Sequence, residues 1–238
     1  MAASARCRSD RLPAYIEDVL LLSNRIILVA DRSNSSVKLF TMQGDHLDSE
    51  SLRGRPVRLA VIVSGPGNIW KVAVTFLMDQ RIDILEVTPE SVTKLTSVQT
   101  SCKSYAVTAV DTATLAVGYI DDERIDLIDV TGRVLCQLSQ TLDPWYMTLT
   151  QDGCLLMSSN NGKVSKVTIQ EGYVVFHRSV PQIKNPAGVA TLQDGWFVVS
   201  DWKTTSLHLV TPDGHWDRQL WRHPRGSDCG DLLWSVSV

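Results

Sequence analysis

Four arginines and four aromatic residues carry the chemistry this sequence offers most plainly. Arg53, Arg55 and Arg58 fall close together in the chain, and Arg32 lies in a neighbouring turn segment. Tyr105, Trp145, Tyr146 and Trp202 supply ring faces. Guanidinium groups attract phosphate and rings stack on unpaired bases, so such a set can hold single-stranded RNA. Arg, Tyr and Trp are also the usual anchors of protein interfaces. Acidic residues oppose the basic set: Asp79, Asp121, Asp122, Glu123 and Asp143 belong to the same group of loops. A protein partner is therefore the first expectation for this surface and RNA the second. The plain structural use of the same residues is a mixed solvated rim, with the rings packed between sheets.

Other chemistry is thin. His46, His177, His208, His215 and His223 are scattered, and no Ser-His-Asp or Cys-His spacing recurs. The Gly65-Pro66-Gly67 segment lacks the Gly-Lys-Ser/Thr and the helix of a phosphate loop. Cys7, Cys102, Cys136, Cys154 and Cys229 are odd in number and form no CxxC pair, so free thiols in a reducing compartment are expected. A net charge of −3 gives no global basic field, so DNA is not an expected partner. No apolar run is long enough for a membrane span, and no h-region follows the three arginines of Met1 to Arg11. The expected setting is the cytoplasm, for a whole protein or for part of a longer chain, with no membrane partner.

The elements that position these residues follow from a repeat. The pentads Ser36–Phe40, Arg81–Leu85, Arg124–Ile128, Lys163–Val167 and Ser206–Val210 alternate in hydrophobicity and start 45, 43, 39 and 43 residues apart. A period near forty built from short strands and turns is that of a β-propeller. Asp152-Gly153, Asn161-Gly162 and Asp194-Gly195 tolerate positive φ between antiparallel strands. The chain thus reads as all-β, with an N-terminal tail over 1–12 and a propeller over 13–238. Blades are expected at about 13–52, 53–98, 103–140, 143–180 and 185–222, each of four strands. The first inner strand falls near Ala14 to Leu21, and blade two carries an insertion near Val63 to Gly67. Residues 231–238 read as the first strand of a sixth blade, which implies an incomplete six-bladed ring with open edges.

Ile26 to Phe40 resembles the NHL repeat, whose core runs apolar-Val-Ala-Asp-x-x-Asn-x-x-Val-x-apolar-Phe; here Asp31, Asn34 and Val37 fill its fixed places. Blade five keeps the aspartate as Asp201, whereas the other blades carry Thr75, Tyr119 or Ser159 in its stead. Asp31 and Asn34 suit hydrogen bonds to backbone N–H groups of the turn, with direct ligand contact as their other use. The chain as a whole resembles the C-terminal propellers of tripartite-motif (TRIM) proteins of the NHL type. That resemblance implies a non-enzymatic, substrate-recognising module of a ubiquitin ligase, with no cofactor. The RING, B-boxes and coiled coil of such ligases have no counterpart in this sequence. The chain is also similar in architecture to six-bladed lactonases, which implies a divalent metal held near the starts of inner strands. Glu17, Asn185 and Asp231 stand in comparable places, and oxygen ligands of this kind suit Ca²⁺ or Mg²⁺. This hydrolase is the alternative reading.

Overall fold

The computed structural model describes residues 7, 10–23, 25–119, 121–138, 143–159, 162–170, 174–192 and 194–222. They form five four-stranded antiparallel sheets, each a meander of consecutive strands. Blade one holds β1 (Ile16–Ser23), β2 (Ile26–Asp31), β3 (Ser36–Thr41) and β4 (His46–Ser51). Blade two holds β5 (Pro56–Gly65), β6 (Ile69–Phe76), β7 (Arg81–Val87) and β8 (Val92–Gln99). Blade three holds β9 (Ser104–Ala109), β10 (Thr114–Tyr119), β11 (Arg124–Asp129) and β12 (Val134–Leu138). Blade four holds β13 (Pro144–Leu149), β14 (Cys154–Ser159), β15 (Lys163–Thr168) and β16 (Val174–Ser179). Blade five holds β17 (Pro186–Thr191), β18 (Phe197–Asp201), β19 (Ser206–Val210) and β20 (Trp216–Arg222). Among the described residues there is no helix. The first strand begins two residues later than Ala14, and the extra residues of blade two lengthen the β5–β6 hairpin.

Local chemistry sets these hairpins. Gly153 and Gly195 take φ of +74° and +76° at the tips of the β13–β14 and β17–β18 connections. In the first, the Thr150 hydroxyl also accepts from Cys154 N at 3.0 Å, which closes the turn.

Packing between blades makes the core. Leu28, Val37 and Leu39 of blade one meet Leu59, Val72, Val74 and Leu85 of blade two. Equivalent apolar clusters join blades two and three, three and four, and four and five. Inner strands follow the same order, with β1 against β5, β5 against β9, β9 against β13 and β13 against β17. Among the described residues no packing of similar extent joins β17 back to β1. The strand expected over 231–238 lies outside the described residues. Gly118 permits one close approach: a Cβ there would lie 2.5 Å from Pro144 Cγ, so only glycine lets blade four sit this near blade three.

Neighbouring blades cover both faces of blades two, three and four, and this reverses what alternation alone implies. The middle residue of each pentad is polar, namely Lys38, Asp83, Asp126, Ser165 and His208, and every one is buried. Each has a local partner, as burial of polar groups requires. Lys38 Nζ meets Asp31 at 2.5 Å and Asp10 at 2.6 Å. Asp83 accepts from Ser97 at 2.7 Å and pairs with Lys94 at 3.0 Å. Asp126 pairs with Arg124 at 3.0 Å, and Ser165 meets His177 Nδ1 at 2.6 Å. His208 lies 2.8 Å from Ser206 Oγ and accepts from Trp216 Nε1 at 3.1 Å.

Register corrects one assignment. Asp31 pairs with Ser36, and Arg81 heads the equivalent strand of blade two. Because Thr75 pairs with Ile82, the residue in the aspartate's place is Phe76, not Thr75. The substitution has a physical logic. Asp31 takes backbone N–H bonds from Tyr15 (3.2 Å) and Asn34 (3.3 Å). Asp201 does the same for Lys184, Asn185, Lys203 and Thr204 at 2.7–3.3 Å. In blades two and three an arginine at the head of the pentad covers a ring instead: Arg81 lies 4.3 Å from the Phe76 centroid and Arg124 4.9 Å from that of Tyr119.

Candidate functional site

All five inner strands share one irregularity. After their first residues, Ile16, Pro56, Ser104, Pro144 and Pro186, the pairing register shifts by a bulge. Bulges at sheet edges and rims re-aim side chains. The second residues of the strands are Glu17, Val57, Tyr105, Trp145 and Ala187; the third are Asp18, Arg58, Ala106, Tyr146 and Gly188. Three of the second residues line the mouth of the channel, and three of the third build a buried network beneath it.

Arg58 is the centre of that network. It is 5% exposed, and its guanidinium lies between the rings of Tyr105 and Tyr146, with centroids at 4.9 and 5.2 Å. It donates to the backbone carbonyls of Val57 (3.0 Å), Glu17 (3.2 Å) and Trp145 (3.3 Å), and it sits 3.6 Å from the Glu17 carboxylate. Blades one, two and four are thus tied across the axis. Burial disfavours its charge, but Tyr105, Asp18, Glu17 and Tyr146 outweigh that and hold it protonated more firmly than a free arginine. Asp18 is wholly buried. Its carboxylate accepts from Val19 N and Leu59 N, both at 2.8 Å, and from the Tyr146 hydroxyl at 3.3 Å. Burial pushes its pKa up to about 7, with Arg58 and these hydrogen bonds pulling the other way.

Above the network lies a cavity of about 430 Å³, within the size range of ligand pockets. Tyr15, Tyr105 and Trp145 form its aromatic bed, with the last two rings 4.9 Å apart. Leu77 and Met78 add an apolar edge, and Met78 is 64% exposed. Its charges come in pairs: Arg32 meets Glu17 at 2.6 Å, and Lys103 meets Asp121 at 3.4 Å. Arg32 also lies 5.4 Å from the Tyr15 centroid.

The structure divides the eight residues singled out by sequence. Arg32, Tyr105 and Trp145 converge on the cavity. Arg58 does not belong to an exposed basic patch; it is a core residue, because the third place of an inner strand faces the axis. Tyr146 is likewise buried beneath the mouth. Arg53 and Arg55 are exposed but do not line the cavity, and Trp202 is 56% exposed outside it. Tyr15 and Lys103 line the cavity but fall outside those eight. Both stand immediately before an inner strand, in register with Arg55, Asp143 and Asn185, so alignment of the repeats would have found them.

The metal reading fares differently for each member. Asp231 lies outside the described residues. Glu17 is committed to two guanidiniums, which neutralise the charge a cation needs. Asn185 sits at the start of blade five with its N–H on Asp201. Among the described residues no group of three or more His, Cys, Asp or Glu side chains is placed to hold a metal. Cys7, Cys102, Cys136 and Cys154 are free thiols, and no helix among the described residues is long and apolar enough to cross a membrane.

This fold and its channel-mouth cavity define the chain as an all-β propeller of four-stranded blades. No protein-family model matches it, and no curated protein does. Solved structures align well. A Bacteroides caccae protein of unknown function superposes with a TM-score of 0.68 at 14% identity, over 87% of this chain and 81% of its own. Streptogramin B lyase gives 0.66 at 13% identity, over 87% and 69%. The β-propeller domain of Cps50 (Swd1) from Myceliophteria thermophila gives 0.66 at 14% identity, over 86% and 72%. At these identities the likeness is one of fold, which enzymes and non-enzymes share.

Proposed function

We propose that the chain is a non-enzymatic protein-binding module that takes its partner at the channel mouth. The observation that carries this reading is the cavity itself: rings from three blades, an exposed methionine and paired charges meet at one end of the channel. Aromatic and Arg anchors inside a partly desolvated pocket are what interface hot spots use. The resemblance to NHL propellers of TRIM proteins favours reading such a module as the substrate-recognising half of a cytoplasmic ubiquitin ligase, with the RING supplied elsewhere. RNA is a second ligand class, resting on exposed Arg53 and Arg55 at the head of blade two.

The test is co-purification from nuclease-treated extract with wild type and with Trp145→Ala and Arg32→Glu variants. A partner that is retained by wild type, survives nuclease and is lost from both folded variants is the expected result. Loss with nuclease alone would transfer the role to RNA. Turnover of a lactone or ester panel by the purified chain would overturn the non-enzymatic reading.

A further inference from the structure

We propose that the channel-mouth cavity recognises a single carboxylate on a partner peptide, held by Arg32 and Lys103 beside an apolar side chain bedded on Tyr105 and Trp145. The inference rests on the binding-module reading and names its ligand chemistry.

Charge disfavours a cationic guest beside Glu17. Glu17 is the deepest acid of the cavity, and it already faces Arg32 at 2.6 Å and Arg58 at 3.6 Å. Arg58 is fully enclosed, bonded to three carbonyls and stacked between two rings, so it cannot turn away. A guest ammonium would need to displace Arg32 while sitting near that fixed charge. An anion meets the opposite situation. Among the described residues the Arg32 guanidinium donates only to Glu17, which leaves further N–H groups of its fork open to the cavity. Lys103 is 43% exposed and is held by Asp121 only loosely, at 3.4 Å. Such a pair is worth little in water and exchanges readily.

Counting charges sets the valence. Arg32, Lys103 and Arg58 are positive, and Glu17 and Asp121 are negative, which leaves one positive unit. Asp18 lies behind Arg58, outside the cavity lining, and with its pKa raised to about 7 it offsets that excess only in part near neutral pH. A monoanion matches this excess. A phosphate dianion would face repulsion from Glu17 and Asp121, which also disfavours an RNA backbone here. The remaining volume is apolar: Leu77, Met78 and the two rings form a bed for a neighbouring side chain. The carboxylate comes from either an Asp/Glu side chain or a free peptide C-terminus.

The experiment is selection from random heptapeptide libraries displayed in two formats, one internal and one with a free C-terminus. Selected peptides are then titrated by fluorescence polarisation against the whole chain. Enrichment of Asp/Glu next to an apolar residue supports the proposal with a side-chain source. Enrichment only in the free-terminus format supports it with a terminal source. Amide replacement of the carboxylate should weaken binding roughly tenfold or more, as loss of charge-assisted bonds does. The Arg32→Glu/Lys103→Glu double variant should turn selection toward Lys and Arg; Lys103→Glu alone, at an exposed position, serves if the double variant does not fold. Neutral or basic peptides selected by wild type would overturn the carboxylate while leaving the module intact. No enrichment, or displacement by oligouridine with the same charge-swap sensitivity, would overturn it as well. In the first case, co-purification still decides the broader reading independently.

Discussion

Replacing Arg58 by methionine separates a core arginine from a surface one. Methionine keeps much of the volume between Tyr105 and Tyr146, so little cavity forms. What is lost is charge and three donated hydrogen bonds. The carbonyls of Glu17, Val57 and Trp145 lose a donor, and the Glu17 carboxylate, only 2% exposed, keeps Arg32 alone. Breaking a buried pair from one side costs about 3–5 kcal/mol. Asp18 can relieve part of this by staying protonated, because its pKa already stands at about 7. The expected loss is therefore near the lower bound, about 3 kcal/mol, or about 6–12 °C in Tm for a domain of this size. Arg53→Met and Arg55→Met, at exposed positions, should change stability by no more than about 0.5 kcal/mol. Arg58→Lys should fall between, since an ammonium cannot reproduce the planar fork. Urea titration of the four variants at one pH is the assay. If Arg58→Met loses less than about 1 kcal/mol, the guanidinium does not hold the inner strands together, and its network carries no such weight. If it instead keeps full stability but abolishes ligand binding, Arg58 is a surface contact after all.

Asp18→Asn tests the other half of the network: the folded state holds a proton from pH about 4 to about 7 that the unfolded chain has released, so wild-type stability declines over that window and then levels, and the variant should lack this decline in pH-resolved denaturation. His208 behaves in the opposite sense. Burial lowers its pKa below 6.5, so the unfolded chain takes the proton first; stability should fall as pH drops below that value, and NMR titration of the ring should show the depressed pKa. Asp201→Ala removes the acceptor for four backbone N–H groups and should cost about 3 kcal/mol, with faster amide exchange at Lys184, Asn185, Lys203 and Thr204. If RNA binds, Arg53→Glu/Arg55→Glu should weaken it and flatten its salt dependence; unchanged affinity would make these residues mere rim.

The repeat, the five blades and the turn chemistry were legible in the chain because they are local. Alternation over five residues, an Asp-Gly at a hairpin tip and a period near forty need no knowledge of neighbours. The turn-bonding role of Asp31 was legible for the same reason; Asn34 departs from it, because its Oδ1 accepts from Arg11 N and Leu12 N at 3.1 and 3.0 Å rather than from its own turn. Tertiary structure alone decided the rest. Alternation tells which side chains share a face but not what covers that face. In a propeller the covering surface belongs to a blade some forty residues away, so Asp83 and His208 are buried where an isolated sheet would expose them, while Lys38 is covered by the segment of Cys7 and Asp10 that precedes blade one. Arg53, Arg55 and Arg58 look equivalent in sequence, yet a bulge after Pro56 places Arg58 against the axis and leaves the other two in water. The cavity likewise joins Tyr15, Met78, Lys103 and Trp145 from four separate segments. No local pattern encodes their meeting; it follows from the packing of successive inner strands around a common axis.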